Sequence, residues 1–184
     1  SSPAVKWVQA GAADQTLAVL RANSTYEDIR LETLGLQIAT SSASGDTMAS
    51  NTPSDLQKVT LWNGAKKIGE VTFTSTDYAT TTFTTQYGAT ETDYTIPKDD
   101  QLLITIKGDI GTIGSVLQAS PGHLILVNYD ASSSSNCNGG VNTSCQSGLI
   151  GTGLASGTKL GSGGSDTSSN GARIAKAYPT VERI

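Results

Sequence analysis

The sequence predicts an all-β protein built as an antiparallel β-sandwich, and three observations lead to this prediction. Helical periodicity is nearly absent from the 184 residues. Apolar residues instead alternate with polar ones in about eight to ten short segments, as in strands that bury one face. Turn-forming residues such as Gly, Asn and Pro separate these segments. The pattern is typical of an antiparallel sandwich.

The first half of the chain contains three clear strand signals. The segment 15–22 ("QTLAVLRA") reads as a short strand. The segment Ile29–Ile38 alternates in two blocks whose phase shifts near Leu34–Gly35, which predicts a long strand with a β-bulge. The segment 56–62 ("LQKVTLW") alternates and is followed by Asn63–Gly64, a pair that tolerates the positive φ of a tight hairpin turn.

Four further strands follow from composition and alternation. The return strand of the hairpin is 66–74, where Gly69 predicts a bulge or a close backbone approach. The segment 79–87 is rich in Thr, as expected of a strand with one wet face. The segment 101–107 places Leu102, Ile104 and Ile106 on one face, and 123–129 ("HLILVNY") is apolar on both faces, which predicts a central strand.

The composition changes after Asp130. We expect 1–184 to form one domain in which 131–170 is a flexible insertion rich in Cys, Gly and Ser, with 149–160 able to add an edge hairpin. Cys137 and Cys145 are too few for a zinc site beside a single histidine. A local disulfide between them is the favoured interpretation, with two free thiols as the alternative.

Charge and hydrophobicity exclude two classes of partner. The net charge is −4 and only 15% of residues are charged, so the chain has no basic surface for nucleic acid or an anionic membrane. The single basic pair, Lys66–Lys67, adjoins a turn signal. No segment reaches the roughly 20 apolar residues of a membrane span. Together with the disulfide, this composition predicts an extracellular or cell-surface protein, with any secretion signal removed ahead of Ser1.

No constellation of catalytic residues can be assembled, so we predict that the chain is not an enzyme and carries no cofactor or metal. His123 is the only histidine and is expected at the surface of a strand end. The carboxylate pairs Glu27–Asp28 and Asp99–Asp100 precede strands, where they are expected as turn residues; calcium is the alternative. Trp62 and nearby tyrosines leave open a platform for stacking sugars.

The two ends of the sequence are alike. The hexamers Pro3–Val8 ("PAVKWV") and Pro179–Ile184 ("PTVERI") share the order Pro, small or hydroxylated, Val, charged, long side chain and β-branched aliphatic. Either the closing hexamer begins another copy of a tandem array, or a terminal strand completes the sheet of a neighbouring subunit. A chance match over six positions is the third interpretation.

Three segments carry a resemblance to a known family. In order, "YEDIRLETLGLQI", "SDLQKVTLWNGAKKIGEVTF" and "YTIPKDDQLLITIKGDI" resemble the strand pattern of tandem Ig-like β-sandwich modules in bacterial cell-surface proteins of the S-layer and pilus type. "GARIAKAYPTV" is similar to the segment that leaves such a module. The resemblance covers roughly Asp14–Ile110 and the closing segment, and it implies an Ig-like sandwich.

We therefore predict a structural subunit of an extracellular filament, pilus or surface layer that self-associates end to end as a homopolymer. The terminal strands, 1–12 and 172–184, would contact neighbouring copies. The side chains predicted at this interface are Val5, Trp7, Val8, Val181 and Ile184, with Trp7 as anchor.

Glycans are the other predicted partners. Asn23 and Asn142 begin sequons and are candidate glycosylation sites. The alternative function is a secreted carbohydrate-binding or adhesive module that uses Trp62.

Overall fold

The computed structural model describes residues 6–38, 49–50, 52–74, 77–114, 119–131, 148–162, 167 and 169–177. Within these ranges all regular structure is β, apart from two short 3-10 turns at Pro53–Asp55 and Glu91–Tyr94. The prediction of an all-β chain is confirmed. No helix in the described part of the chain has the length and apolar character needed to cross a membrane.

Fourteen strands are described. They are β1 (Lys6–Gln9), β2 (Gln15–Ser24), β3 (Ile29–Ile38), β4 (Ala49–Ser50), β5 (Leu56–Asn63), β6 (Lys66–Val71), β7 (Tyr78–Thr82), β8 (Thr95–Ile96), β9 (Asp100–Ile110), β10 (Leu124–Ile125), β11 (Val127–Tyr129), β12 (Leu149–Gly153), β13 (Lys159–Ser162) and β14 (Ala172–Ala175).

The first sheet, here the β9 sheet, is antiparallel with strand order β2-β9-β5-β6. Its longest strand, β9, alternates regularly, burying Leu102, Ile104 and Ile106 on one face as the sequence predicts. The strand β2 lies at one edge of this sheet and β6 at the other. The order follows from the hairpin β5–β6 and the long antiparallel pairing of β2 with β9.

The second sheet, here the β3 sheet, is built around β3. On one side β3 pairs with β11 and then β12, and β13 continues the sheet beyond β12. On the other side β3 pairs with β7 and β8. All of these pairs are antiparallel, and a strand with neighbours on both sides needs apolar side chains along most of its length. Five of the ten residues of β3 are accordingly buried.

The third sheet, here the terminal sheet, has the order β1-β14-β10-β4 and mixes parallel with antiparallel pairs. β1 and β14 pair in parallel within the same chain, with Lys6 opposite Ala172 and Gln9 opposite Ala175. This corrects the expectation that the described parts of both terminal segments are available to neighbouring subunits. The two strands satisfy each other's main-chain groups and bury Val8 and Ile174.

One hydrophobic cluster joins residues of all three sheets, which gives the described chain a β-sandwich-like character. Side chains alternate along each strand, and those that face inward make the contacts of this cluster. Each sheet thus covers the apolar face of another. The largest fully buried side chains are Leu17, Leu31, Leu34, Leu36, Ile38, Leu61, Ile68, Ile104, Ile106, Ile110, Leu124 and Ile125.

Two strands differ in detail from the sequence prediction. The bulge in β3 lies at Glu32, since Leu31 pairs with Gly151 while Thr33 pairs with Ile150. The expected position near Leu34–Gly35 is therefore wrong by two to three residues. The segment 123–129 is buried as expected but forms two strands in two sheets, because the chain passes from the terminal sheet to the β3 sheet at Leu126.

The predicted hairpin between β5 and β6 is present. Its two-residue loop is Gly64–Ala65, with Asn63 paired to Lys66 as the last pair of the ladder and Gly64 at φ +55°. A bulge lies at Ile68, beside the predicted Gly69, and a Cβ atom at Gly69 would lie 3.0 Å from Oγ1 of Thr81. The close approach predicted for Gly69 is therefore confirmed, whereas the bulge lies one residue earlier in the strand.

The range 131–170 contains ordered strands as well as segments outside the described residues. β12 and β13 form the edge hairpin expected at 149–160, and it extends the β3 sheet as a wall of the sandwich. The predicted disulfide between Cys137 and Cys145 lies outside the described residues.

The packing of β14 on β10 generates a testable prediction at Gly171. Gly171 has φ +75°, and a Cβ atom there would lie 2.5 Å from the carbonyl oxygen of Ile125. Gly171→Ala is expected to lower the free energy of unfolding by about 2 kcal/mol or more, through backbone strain and this contact. Gly88→Ala is the matched control, because Gly88 has φ +81° and no atom within 4 Å of its Cβ position. Equal losses in urea unfolding of the two variants would contradict the close packing.

Candidate functional site

The edge strand β2 has an open side. It pairs with β9 along nine residue pairs, from Gln15–Gly108 to Ser24–Asp100. Apart from this ladder, the only pairing of β2 among the described residues is a single bridge between Ser24 and Lys98, at the end of the strand. Because β2 lies at the edge of its sheet, the main-chain N–H and C=O groups on the side away from β9 have no neighbouring strand among the described residues. An edge of this kind is a template for another strand.

An apolar groove of about 580 Å³ runs beside this open edge. Its floor and far wall come from the β3 sheet and from the segment that follows β13, so the groove lies between two sheets. The lining residues are Ala18, Val19, Leu20, Arg21, Ala22, Asn23, Ile29, Leu31, Leu34, Ile96, Ile104, Tyr129, Leu149, Gly151, Leu160, Gly161, Thr167 and Ser169.

The alternation of β2 shows which of its side chains face the groove. Ala18, Leu20 and Ala22 stand opposite the buried residues Ile106, Ile104 and Leu102 of β9, and cross-strand partners share a face. Although Leu20 and Ala22 point inward and pack against the core cluster, they are only partly buried. Inward-facing apolar residues that keep contact with solvent mark a place where the sandwich is incompletely filled.

The opposite face of β2 points outward. Val19, Arg21 and Asn23 stand opposite Thr105, Leu103 and Gln101 of β9, and Arg21 and Asn23 are exposed. Asn23, the first candidate glycosylation site, is thus accessible at the rim of the groove. Asn142, the second, lies outside the described residues.

A buried hydroxyl without a partner lies at the groove. Ser169 is 3% exposed, and its Oγ makes no hydrogen bond with any described group. Its backbone N–H is bonded to Oδ1 of Asn128 at 2.9 Å, which holds the residue against β11. A buried polar atom without a partner costs free energy, so this hydroxyl adds nothing to the stability of the described groove.

The β12–β13 hairpin forms one wall of the groove and is held by two carboxylates. Glu27 accepts hydrogen bonds from the backbone N–H groups of Ala155 and Ser156, each at 2.9 Å, and from Oγ of Ser156 at 2.8 Å. Glu32 accepts a hydrogen bond from the Thr152 hydroxyl and pairs with Nζ of Lys159 at 2.8 Å. Glu27 lies in the turn before β3, and Glu32 is the bulge residue of β3. These two carboxylates therefore hold the β12–β13 hairpin against β3.

These contacts stabilise the charged form of both carboxylates. The hydrogen bonds from the backbone and hydroxyl of Ser156 hold the pKa of Glu27 below its ordinary value of 4.5. The pKa of Glu32 is lowered first by the hydrogen bond from Lys159 and then by that from Thr152. A side chain at Gly153 would occupy the position of the Glu27 carboxylate, since a Cβ atom there would lie within 2.6 Å of both its oxygens.

Of the five interface residues predicted from the sequence, the structure describes two, Trp7 and Val8. Trp7 is 58% exposed on β1, with the guanidinium of Arg173 at 5.6 Å from its ring centre. Val8 is 2% exposed and lies in the core of its own chain. This corrects its predicted place at a subunit interface, because the pairing of β1 with β14 turns Val8 inward. Val5, Val181 and Ile184 lie outside the described residues.

Trp62 has partners within the chain. Its Nε1 donates a hydrogen bond to Oγ1 of Thr60 at 2.8 Å, and Nζ of Lys107 lies 4.2 Å from the ring centre. A lysine over the indole face occupies the surface on which a sugar ring would stack.

Sequence reasoning missed the environment of His123. Its Nδ1 lies 2.9 Å from Oδ2 of Asp55, which is fully buried and also accepts a hydrogen bond from the backbone N–H of Ser120 at 3.0 Å. The expected isolated surface histidine is therefore half-buried and tied to the 3-10 turn before β5. The sequence separation of 68 residues leaves no local signal for this pair. Across the residues that the structure describes, no group of three or more His, Cys, Asp or Glu could hold a metal ion.

Comparisons of the chain with protein-family models, with curated proteins and with solved structures found no match.

The carboxylates under the hairpin generate a pH prediction. Because the pKa values of Glu27 and Glu32 are lower in the folded chain than the ordinary 4.5, their stabilisation is complete above that pH. It is lost as pH falls through the folded values. Hydrogen-exchange protection factors of the β12–β13 amides are expected to fall between about pH 5 and pH 3, before those of β9.

The paired variant Glu27→Gln and Glu32→Gln provides the control. Its hairpin amides should be less protected at pH 7 than those of the unaltered chain, and their protection should change little on acidification. A hairpin that keeps its protection at pH 3 relative to β9 would contradict this account.

Proposed function

We propose that this chain is an Ig-like structural subunit of an extracellular filament, pilus or surface layer, and that it joins copies of itself by β-strand addition. The observation that carries the proposal is the apolar groove beside the open edge of β2. A strand from a neighbouring copy would enter this groove, bond to the main chain of β2 and cover its inward-facing side chains.

The shape and chemistry of the groove suit an extended peptide. It follows β2 from Ala18 to Asn23, and six residues of strand span about 20 Å. One side offers unpaired main-chain groups, which a strand satisfies in series and a small ligand does not. The floor is aliphatic, with Leu20, Ile29 and Leu149 still partly exposed, and a strand would bury them.

The closing hexamer Pro179–Ile184 is the donor that we propose. It follows β14, and the exposed residues Lys176 and Ala177 connect it to the folded chain. The opening strand fits this role less well, because β1 already pairs with β14 and buries Val8. Trp7 remains exposed on that strand and would add a secondary contact between subunits, since exposed aromatics are frequent interface anchors.

The open edge also argues for a polymer on general grounds. Proteins that stay monomeric guard long edge strands with bulges, prolines or covering loops. The β2 edge has ten residues, and its one register shift, at Leu17, lies before the groove. Surface location, a disulfide in the insertion and glycans at the exposed Asn23 remain parts of the same proposal.

The alternative proposal is a carbohydrate-binding or adhesive module. In this alternative a sugar would stack on the Trp62 ring, and the Lys107 side chain over that ring weakens the proposal. The alternative predicts a monomer that binds glycans irrespective of the closing hexamer.

The experiment is negative-stain electron microscopy of the full chain at rising concentration, beside a chain that lacks Pro179–Ile184. Regular filaments or sheets are expected from the first and dispersed particles from the second. A third sample carries Ala22→Trp, whose indole would fill the groove from the inward face of β2. Ala65→Trp is the matched control, because Ala65 is exposed in the loop of the β5–β6 hairpin, at the edge of the sheet away from β2.

We expect Ala22→Trp to remain folded but to stop assembly, and Ala65→Trp to assemble like the unaltered chain. Circular dichroism verifies the fold of each variant. Filaments from the truncated chain would rule out the proposed donor, and filaments from Ala22→Trp would rule out the groove as acceptor. Dispersed particles from every sample would overturn self-assembly, and glycan binding would then be measured on the full chain.

A further inference from the structure

Arg21 differs from the other cationic residues of the sheets. It is exposed on the outer face of β2 at the rim of the groove, and it makes no ion pair, hydrogen bond or ring contact with any described group. Every other Lys or Arg in a described strand has a partner. These residues are Lys6, Arg30, Lys58, Lys66, Lys67, Lys107, Lys159 and Arg173.

A charged side chain on an edge strand can act in one of two ways. It can guard the edge, because burying an unpaired charge beside an incoming strand is unfavourable. It can also select a partner strand that carries the opposite charge at the matching position. The two roles predict opposite effects when the charge is removed, since removing a guard promotes association and removing a partner weakens it.

The closing hexamer contains one carboxylate, Glu182, in its interior. We infer that Glu182 of a neighbouring copy pairs with Arg21 and thereby sets the register of an antiparallel strand added to β2. This inference rests on the proposed function and specifies how the donor strand is recognised. Opposite charges at directly facing positions stabilise a strand pair, while like charges destabilise it.

The neighbouring positions fit this register. With Arg21 opposite Glu182 in an antiparallel pair, Val19 faces Ile184 and Asn23 faces Thr180, so apolar meets apolar and polar meets polar on the outer face. A parallel strand with the same ion pair would instead set Val19 against Thr180 and Asn23 against Ile184. The strand β9, which forms the described ladder with β2, is also antiparallel to it.

The inner face fits as well. Val181 would point into the groove beside Ala22, whose side chain is small and only partly buried. Arg183 would stand opposite Leu20 and extend its aliphatic stem along the groove, with the guanidinium reaching solvent. A shift by one residue would turn Glu182 into the apolar groove, which is costly for a short charged side chain.

The test is a charge exchange in the full chain. Arg21→Glu and Glu182→Arg each place like charges at the facing positions, whereas the double variant restores an opposite pair in reverse order. We expect each single variant to raise the critical concentration for assembly roughly tenfold at low salt, and the double variant to return it to within about threefold of the unaltered chain. Sedimentation and light scattering measure this concentration.

Three companion samples separate the outcomes. Lys66→Glu, at the tip of the β5–β6 hairpin, carries the same change of charge away from the groove and should assemble normally. Arg21→Ala should weaken assembly; stronger assembly would identify a guard and overturn the inference. The chain without Pro179–Ile184 tests the proposed function itself, which fails if that chain assembles.

If the truncated chain does not assemble but neither single charge variant changes the critical concentration, the proposed function stands and the register is overturned. Weakened assembly in both single variants without recovery in the double variant also overturns the direct pairing of Arg21 with Glu182.

Discussion

The main-chain groups of β2 set the constraint on which the rest of the molecule depends. Every N–H and C=O in a sheet needs a partner, and β2 obtains partners in series only from β9 among the described residues. The partly exposed Leu20 and Ala22 lie beside the same open edge. A sandwich that lacks one strand has both properties at once, because the missing strand would satisfy hydrogen bonds and bury apolar surface together.

The β12–β13 hairpin, which forms the groove wall opposite that edge, is held by polar contacts more than by burial of apolar side chains. Two carboxylates, Glu27 and Glu32, bind the backbone and side chains of the β12–β13 hairpin across more than a hundred residues of sequence. Since Gly153 leaves room for the first carboxylate, the hairpin can approach the turn before β3 closely. The position of this groove wall therefore depends on the negative charges of Glu27 and Glu32. Since these charges are lost at low pH, the shape of the groove depends on pH.

The two chain ends occupy different roles in the fold than their similar sequences suggest. β1 and β14 pair in parallel, so the described part of each end completes the other. A strand that is already paired inside its chain is a poor donor, since its release would expose Val8 and break main-chain bonds. In the proposed assembly the donor is therefore the part of the closing segment beyond β14, whose acidic Glu182 would complement Arg21, a residue without a partner among the described groups.

The amino-acid sequence by itself determined the all-β class, the positions of β2, β3, β5 and β9, the β5–β6 hairpin and the inward face of β9. These features depend on alternation and turn chemistry, which act between residues close in sequence. Only the tertiary structure decided that β2 has an open edge, that His123 meets Asp55, that Val8 is buried and that Lys107 covers Trp62. Alternation tells which face of a strand is apolar, but the neighbours of that strand are chosen by contacts between distant segments. For the same reason the bulge in β3 lies at Glu32 and not near Leu34–Gly35, because a bulge is defined by the partner strand as well as by its own residues.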